Sequence, residues 1–195
     1  MKIRDLLLAA LAGLVTSMAS AEISYDYAEL GFGAIDVDVV LPQNGEGTGP
    51  AGFVSYQFYG PFVAFAGTGL IDFEDDNIEL SDSQVGLGWT LPMGKNASSF
   101  VNVAYLHNDV EPAGQRSFAQ DGYGVTLGYR AENHSPWEFI GTVDYVNVES
   151  GVEFGGGMSL VYDATRRFSV VGGFSYFDAS MSAFLGARFF FDHNH

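Results

Sequence analysis

Basic residues are scarce in this chain and cysteine is absent. Its 195 residues include 8 Lys and Arg against 24 Asp and Glu, a formal net charge of −16, and no Cys. Without cysteine, neither a disulfide framework nor a thiolate metal site is possible. Nucleic acid is excluded as a partner, because phosphate binding needs a basic surface. Beyond position 21 no run approaches the roughly 18 consecutive apolar residues of a membrane-spanning helix. Helical periodicity is missing as well. Yet 47% of the residues are hydrophobic and 29 are aromatic, and this apolar content must be accommodated in some other way.

The N-terminus has the three parts of a secretory signal. Lys2 and Arg4 open it, residues 6–15 form an apolar stretch, and Ala19-Ser20-Ala21 offers small residues for cleavage. Ten apolar residues fall short of the roughly 20 a helix needs to cross a bilayer. We expect residues 1–21 to be removed, leaving residues 22–195 as a single 174-residue domain. Without Lys2, Arg4 and Asp5, that domain keeps 6 basic and 23 acidic residues, net −17.

From Ile23 onward the dominant period is two. Ala28, Leu30, Phe32 and Ala34 alternate with Tyr27, Glu29, Gly31 and Gly33. Val85, Leu87, Trp89 and Leu91 alternate with Gln84, Gly86, Gly88 and Thr90. The same rhythm recurs around Tyr123–Arg130, Phe154–Tyr162 and residues 182–191. Many glycines stand inside these strands, opposite large apolar residues. A soluble sandwich gains nothing from glycine rows on its wet face. A narrow barrel in lipid needs bulk outside and small or polar groups in its lumen. Turn-rich connections at 59–61, 92–98, 131–136 and 163–167 alternate with others at 41–50, 72–79, 111–120, 149–151 and 178–181. The expected fold is therefore all-β: an antiparallel up-and-down transmembrane β-barrel of ten strands, or eight if the hairpin through Gly60 fails.

In this architecture the chain resembles the small Gram-negative outer-membrane β-barrels of the OmpX and OmpA membrane-domain type. The resemblance extends over residues 22–195 and implies a location in the cell outer membrane. It also implies an assembly signal in the last strand, with Gly186, Phe189 and Phe191 matching its glycine and terminal hydrophobic positions. Phe184 stands where those proteins usually carry a polar residue, and residues 192–195 overhang the expected terminal Phe. The implied partners are outer-membrane lipid, lipopolysaccharide and, during insertion, the barrel-assembly machinery.

The charged residues suggest two candidate regions. Asp36, Asp38, Asp72, Glu74, Asp75, Asp76, Asp109 and Glu111 lie in or beside the expected extracellular loops, as an acidic rim. Such a rim would attract cations, and could share divalent ions with lipopolysaccharide phosphates through oxygen ligands. Asp72, Glu74, Asp75 and Asp76 are dense enough to consider as a metal site but lack EF-hand spacing. Expected to face the lumen are Glu29, Gln57, Gln84, Asn102, Arg130, Glu138, Asp144 and Arg188. Barrel closure should bring Glu29 beside Arg188, while Arg130 and Glu138 flank one short turn and should both point inward. Tyr25, Tyr27, Trp89, Tyr105, Tyr123, Tyr129, Trp137, Tyr145, Tyr162 and Tyr176 read as membrane-interface girdles. Asp36 with Asp38, and His107 with Asp109, sit two apart at outer strand ends, where a His with a carboxylate could activate water, but His107 shares the expected lipid-facing phase of Val101, Val103 and Tyr105. No cofactor and no catalytic residue is assigned. The function expected is a narrow porin-like channel favouring cations; a closed structural or surface-interaction barrel is the alternative, and an outer-membrane hydrolase a minor one.

Overall fold

A computed structural model of the chain describes residues 23–37, 45–73, 78–112, 117–132, 136–149, 151–178 and 180–191. The expected signal segment lies outside them. Ten strands follow one another: β1 Tyr27–Val37, β2 Gly45–Tyr59, β3 Phe62–Phe73, β4 Ile78–Pro92, β5 Ala97–Pro112, β6 Phe118–Glu132, β7 Trp137–Val148, β8 Gly151–Thr165, β9 Phe168–Phe177 and β10 Ser180–Phe190. Each pairs antiparallel with its sequence neighbours, and β1 pairs with β10 to close the barrel. The closing seam is regular from Tyr27 opposite Phe190 to Val37 opposite Ser180. The Gly60 hairpin is present: Tyr59 pairs with Phe62, and Gly60 adopts a φ of +52°, a left-handed conformation that glycine reaches without a Cβ penalty.

Several strands are longer than the turn signals indicate. β2 begins at Gly45, inside a stretch expected to be a connection. Gly45, Gly47 and Gly49 are buried there, with Ile71 and Phe73 of β3 lying over Gly47. Gly47 seats inward side chains, Gly49 lies against the β3 backbone at Leu70, and the three glycines continue the strand without turning the chain. Pro50 has no N–H to give. The β2–β3 pairing accordingly skips from Thr48 opposite Asp72 to Ala51 opposite Gly69, while β1–β2 runs through unbroken. β5 reaches 16 residues, beyond the roughly 9–11 needed to cross a bilayer. The extra length lies at the end away from the chain termini.

The alternation sorts side chains as a membrane barrel requires. Leu30, Phe32, Leu87, Val143, Phe154 and Leu185 are each more than half exposed on the outer wall. In water such a surface would be costly; in lipid it is the favoured one. Outward aromatics border this belt: Tyr59, Trp89, Tyr129, Trp137 and Tyr162 near the terminal end, and Tyr105, Tyr123, Tyr145 and Tyr176 towards the other. Trp137 and Tyr162 pack with ring centroids 4.8 Å apart.

The lumen is fuller than a rule of small and polar residues predicts. Phe65 lies over Gly86, Phe100 over Gly128, and Phe184 over both Gly31 and its cross-strand partner Gly186. Glycine on one strand makes room for a ring projecting from another. At the far end Phe73 and Val148 are buried inward, and Phe177 covers Gly155.

Candidate functional site

Residues 23–26 precede β1 and enter the terminal mouth of the barrel. Ile23 and Tyr25 are 4% and 8% exposed, and Ile23 and Tyr25 cluster with inward Val63. The Tyr25 hydroxyl lies 2.7 Å from Ser98 Oγ, and its ring packs edge-on against Phe100. Two backbone ties hold the segment: the Gln57 N–H donates to Asp26 Oδ1 at 2.6 Å, and the Phe191 N–H to the Asp26 carbonyl at 3.0 Å. Tyr25 and Tyr27 therefore do not belong to the interface girdle. They share the inward phase of Glu29 instead of the outward phase of Leu30.

Against these rings lies a charged quartet. Arg130 Nε donates to Glu138 Oε1, and its Nη1 donates to the Ser24 carbonyl at 3.2 Å. Arg188 bridges two carboxylates, Glu29 through Nη2 at 2.9 Å and Glu138 through Nη1 at 3.4 Å. The guanidinium carbon of Arg130 sits 4.5 Å from the Tyr25 ring centroid, and that of Arg188 sits 4.1 Å from Tyr27. Two positive and two negative groups thus alternate in a space where Arg130, Glu138 and Arg188 are all buried. Mutual pairing is what makes burial of these charges tolerable. The quartet joins β1, β6, β7 and β10 to the N-terminal segment.

The other polar residues singled out in the sequence take separate positions. Gln57 is inward at the terminal end and donates from Nε2 to the Gly60 carbonyl. Asn102 lies over Gly88, and Gln84 lines a mid-lumen cavity beside Phe53. Asp144 accepts from the hydroxyls of Thr126 and Thr142 at 2.6 and 3.0 Å.

The strand phase gives the acidic residues at the end away from the chain termini a direction. Asp36, Asp72, Glu79 and Glu111 are exposed and share the outward phase of their strands, so they face away from the lumen mouth. Asp38, Glu74, Asp75 and Asp76 lie outside the described residues. Asp36 stands opposite Glu46, Asp72 opposite Glu79, and Glu79 opposite Glu111. Like charges directly opposite destabilise a sheet by roughly 0.2–1 kcal/mol per pair. Glu79→Gln is therefore expected to raise the stability of the metal-free barrel by about that amount, read as a higher urea midpoint.

His107 is outward too, with Nδ1 2.7 Å from Asp121 Oδ1 and Nε2 3.4 Å from Asp109 Oδ2. Tyr105 donates to the same Asp121 oxygen at 2.6 Å. His107 stands beyond the Tyr105–Tyr123 band, and its hydrogen bond to Asp121 raises the imidazole pKa. The constellation sits on the barrel's outer wall, away from the lumen.

In the last strand, Gly186 faces the lumen under Phe184, while Phe189 and Phe191 are exposed on the outer wall. Phe189 packs on Phe168 of β9, ring centroids 5.2 Å apart.

No protein-family model and no curated protein matches this chain. Among solved structures it is similar to the translocator domain of autotransporter NalP from Neisseria meningitidis, with a TM-score of 0.52 and 9% identity over 96% of this chain and 94% of that one. It is also similar to the KdgM porin, with a TM-score of 0.49 and 11% identity over 84% and 99% of the two chains. Neisserial surface protein A gives 0.48 and 10% over 86% and 98%. At these identities the likeness is one of fold. With a closed ten-stranded antiparallel wall, an apolar outer belt bordered by aromatics and a packed interior, this chain has the fold of a small membrane β-barrel.

Proposed function

We propose that this chain is an occluded surface barrel: an integral outer-membrane protein whose lumen is shut and whose working face is its extracellular end. The observation that carries the reading is the seating of residues 23–26 in the terminal mouth, the periplasmic end in barrels of this kind. Ile23 and Tyr25 fill the opening, and the quartet of Arg130, Glu138, Arg188 and Glu29 lies against them. Further in, Phe184 stands between two cavities of about 160 and 190 Å³, both of which it lines. Outward carboxylates at the extracellular end suit the phosphate level of lipopolysaccharide, where divalent cations would bridge the two sets of anions.

The absence of cysteine supplies the test, since any introduced thiol is unique. In the folded barrel, Ile23→Cys and Tyr25→Cys should resist a membrane-impermeant maleimide, whereas Met93→Cys, half exposed in a turn, should label at once. Rapid labelling of both buried positions would show the mouth to be open.

One observation favours a second reading, a gated cation-favouring channel. Asp82, Asp144 and Glu153 share the inward phase, and among the described residues Arg130 and Arg188 are the inward basic groups, both committed to the quartet. Should the N-terminal segment withdraw, the remaining passage would attract cations.

A further inference from the structure

Most inward carboxylates among the described residues have a partner, Glu153 near the far end of β8 and Asp82 being the exceptions. Glu29 pairs with Arg188, Glu138 with Arg130 and Arg188, Asp144 with two threonine hydroxyls, and Asp163 with the Ser169 hydroxyl at 2.5 Å. Asp82 of β4 differs. Thr68 donates to its backbone carbonyl at 2.9 Å, but among the described residues no basic side chain reaches its carboxylate. The carboxylate lies in the space left by Gly69, its cross-strand partner, where a Cβ would collide with Oδ1. It borders the mid-lumen cavity of about 160 Å³, whose walls include Glu29, Phe53, Gln84 and Phe184. Gln84 and Phe53 are adjacent, both packing over Gly67.

Each wall contributes something a small organic cation requires. The Asp82 carboxylate balances its charge, the Gln84 carbonyl can accept an N–H, and the Phe53 and Phe184 side chains give its alkyl part apolar surface. Glu29 adds no net charge, being paired to Arg188. A metal ion would require several oxygen ligands at fixed distances, whereas among the described residues no three Asp, Glu or His side chains converge to hold one. Its size is also limiting. About 160 Å³ falls below the roughly 300–1,000 Å³ of a pocket for a drug-sized ligand.

We infer that the cavity bordered by Asp82, Gln84, Phe53 and Phe184 is a binding site for a small primary alkylammonium ion. Asp82 neutralises its charge, Gln84 accepts one N–H, and the rings enclose its alkyl chain. Glu29 of the quartet borders the same cavity, but the charge-balancing group, Asp82, lies outside the quartet, so a failed binding test leaves the occluded-barrel reading standing.

The test uses residues 22–195 refolded in micelles, with n-propylammonium as probe and 1-propanol as its neutral counterpart of equal size. Binding is followed through the NMR shift of the Gln84 side-chain amide. The expected result is a saturable shift with propylammonium, at least tenfold weaker with 1-propanol. Asp82→Asn, which preserves shape, should weaken propylammonium at least tenfold; Asp144→Asn, at the hydroxyl-bonded carboxylate, should leave it unchanged. Equal response to the alcohol, no saturable shift, or undiminished binding by a folded Asp82→Asn barrel would each overturn the assignment. The comparison of the two probes on the unaltered chain holds even if the Asn variant fails to fold.

Discussion

Arg130→Met alone is expected to destabilise the folded barrel by about 3–5 kcal/mol, a cost typical of breaking one side of a buried ion pair. Arg130 carries the direct contact to Glu138, the hydrogen bond to the Ser24 carbonyl and the cation held over the Tyr25 ring. Its loss leaves Glu138 buried with Arg188 at 3.4 Å as its remaining charged partner. It also removes the tie that fastens the N-terminal segment to β6. The double replacement Arg130→Met with Glu138→Leu should behave quite differently. It leaves Arg188 with Glu29, a neutral pair already 2.9 Å apart, and it buries no orphaned charge. The double variant should therefore lose less than the sum of the two single ones, with a coupling of about 2 kcal/mol or more, within the range seen for residues in one network. Urea midpoints of the four proteins measure this directly. Additive losses would mean that the four groups do not act as a unit.

The second large effect lies at the closing seam. Gly31 faces Gly186 across β1–β10, and a Cβ built on it would stand 2.6 Å from Gly186 Cα and 2.5 Å from Phe184 Cζ. The backbone oxygen of Leu185 is nearer still. A ring can rotate aside, but the paired backbone can yield only by opening the seam. Gly31→Ala should thus cost about 1–3 kcal/mol, the usual penalty for overpacking, and Gly31→Val should prevent closure, leaving protein without the heat-dependent gel mobility of a folded barrel. Gly33 is the control, two residues along the same face, where a new Cβ would meet nothing nearer than the Ala183 oxygen at 3.5 Å. Gly33→Ala should be neutral or slightly stabilising, since glycine inside a strand weakens it. Adding Phe184→Leu to Gly31→Ala should not restore stability, because the unyielding contacts are backbone ones. Restoration would place the constraint in the ring instead.

Much of this architecture is legible in the one-dimensional pattern, and the reasons for the rest are specific. Alternation such as Ala28, Leu30, Phe32 against Glu29, Gly31, Gly33 determines the wall and its two faces, and evenly spaced turn signals count its strands. Closure of such a wall makes Glu29 and Arg188 neighbours without any coordinates. Tyr25 and Tyr27 are harder, because an aromatic near a strand end suits both a girdle and a mouth. Only their phase, shared with Glu29, separates the two. The same phase argument, applied to Asp36 with Leu30 and Phe32, puts the acidic rim on the outer wall. Ring-on-glycine packing is different in kind. That Phe100 covers Gly128 or Phe184 covers Gly31 depends on the register between strands, and register is a tertiary property. The same holds for Asp82, whose lack of a basic partner among the described residues becomes visible only once its neighbours on β3 and across the lumen are known.

An occluded barrel makes a simple electrical prediction. Residues 22–195, refolded and inserted into a planar bilayer, should give no steady single-channel steps at moderate voltage, although heat-dependent gel mobility shows the protein to be folded. Long-lived steps of constant size from the unaltered chain would contradict the closed lumen, and a reversal potential towards the cation value under a salt gradient would establish the channel reading in its place.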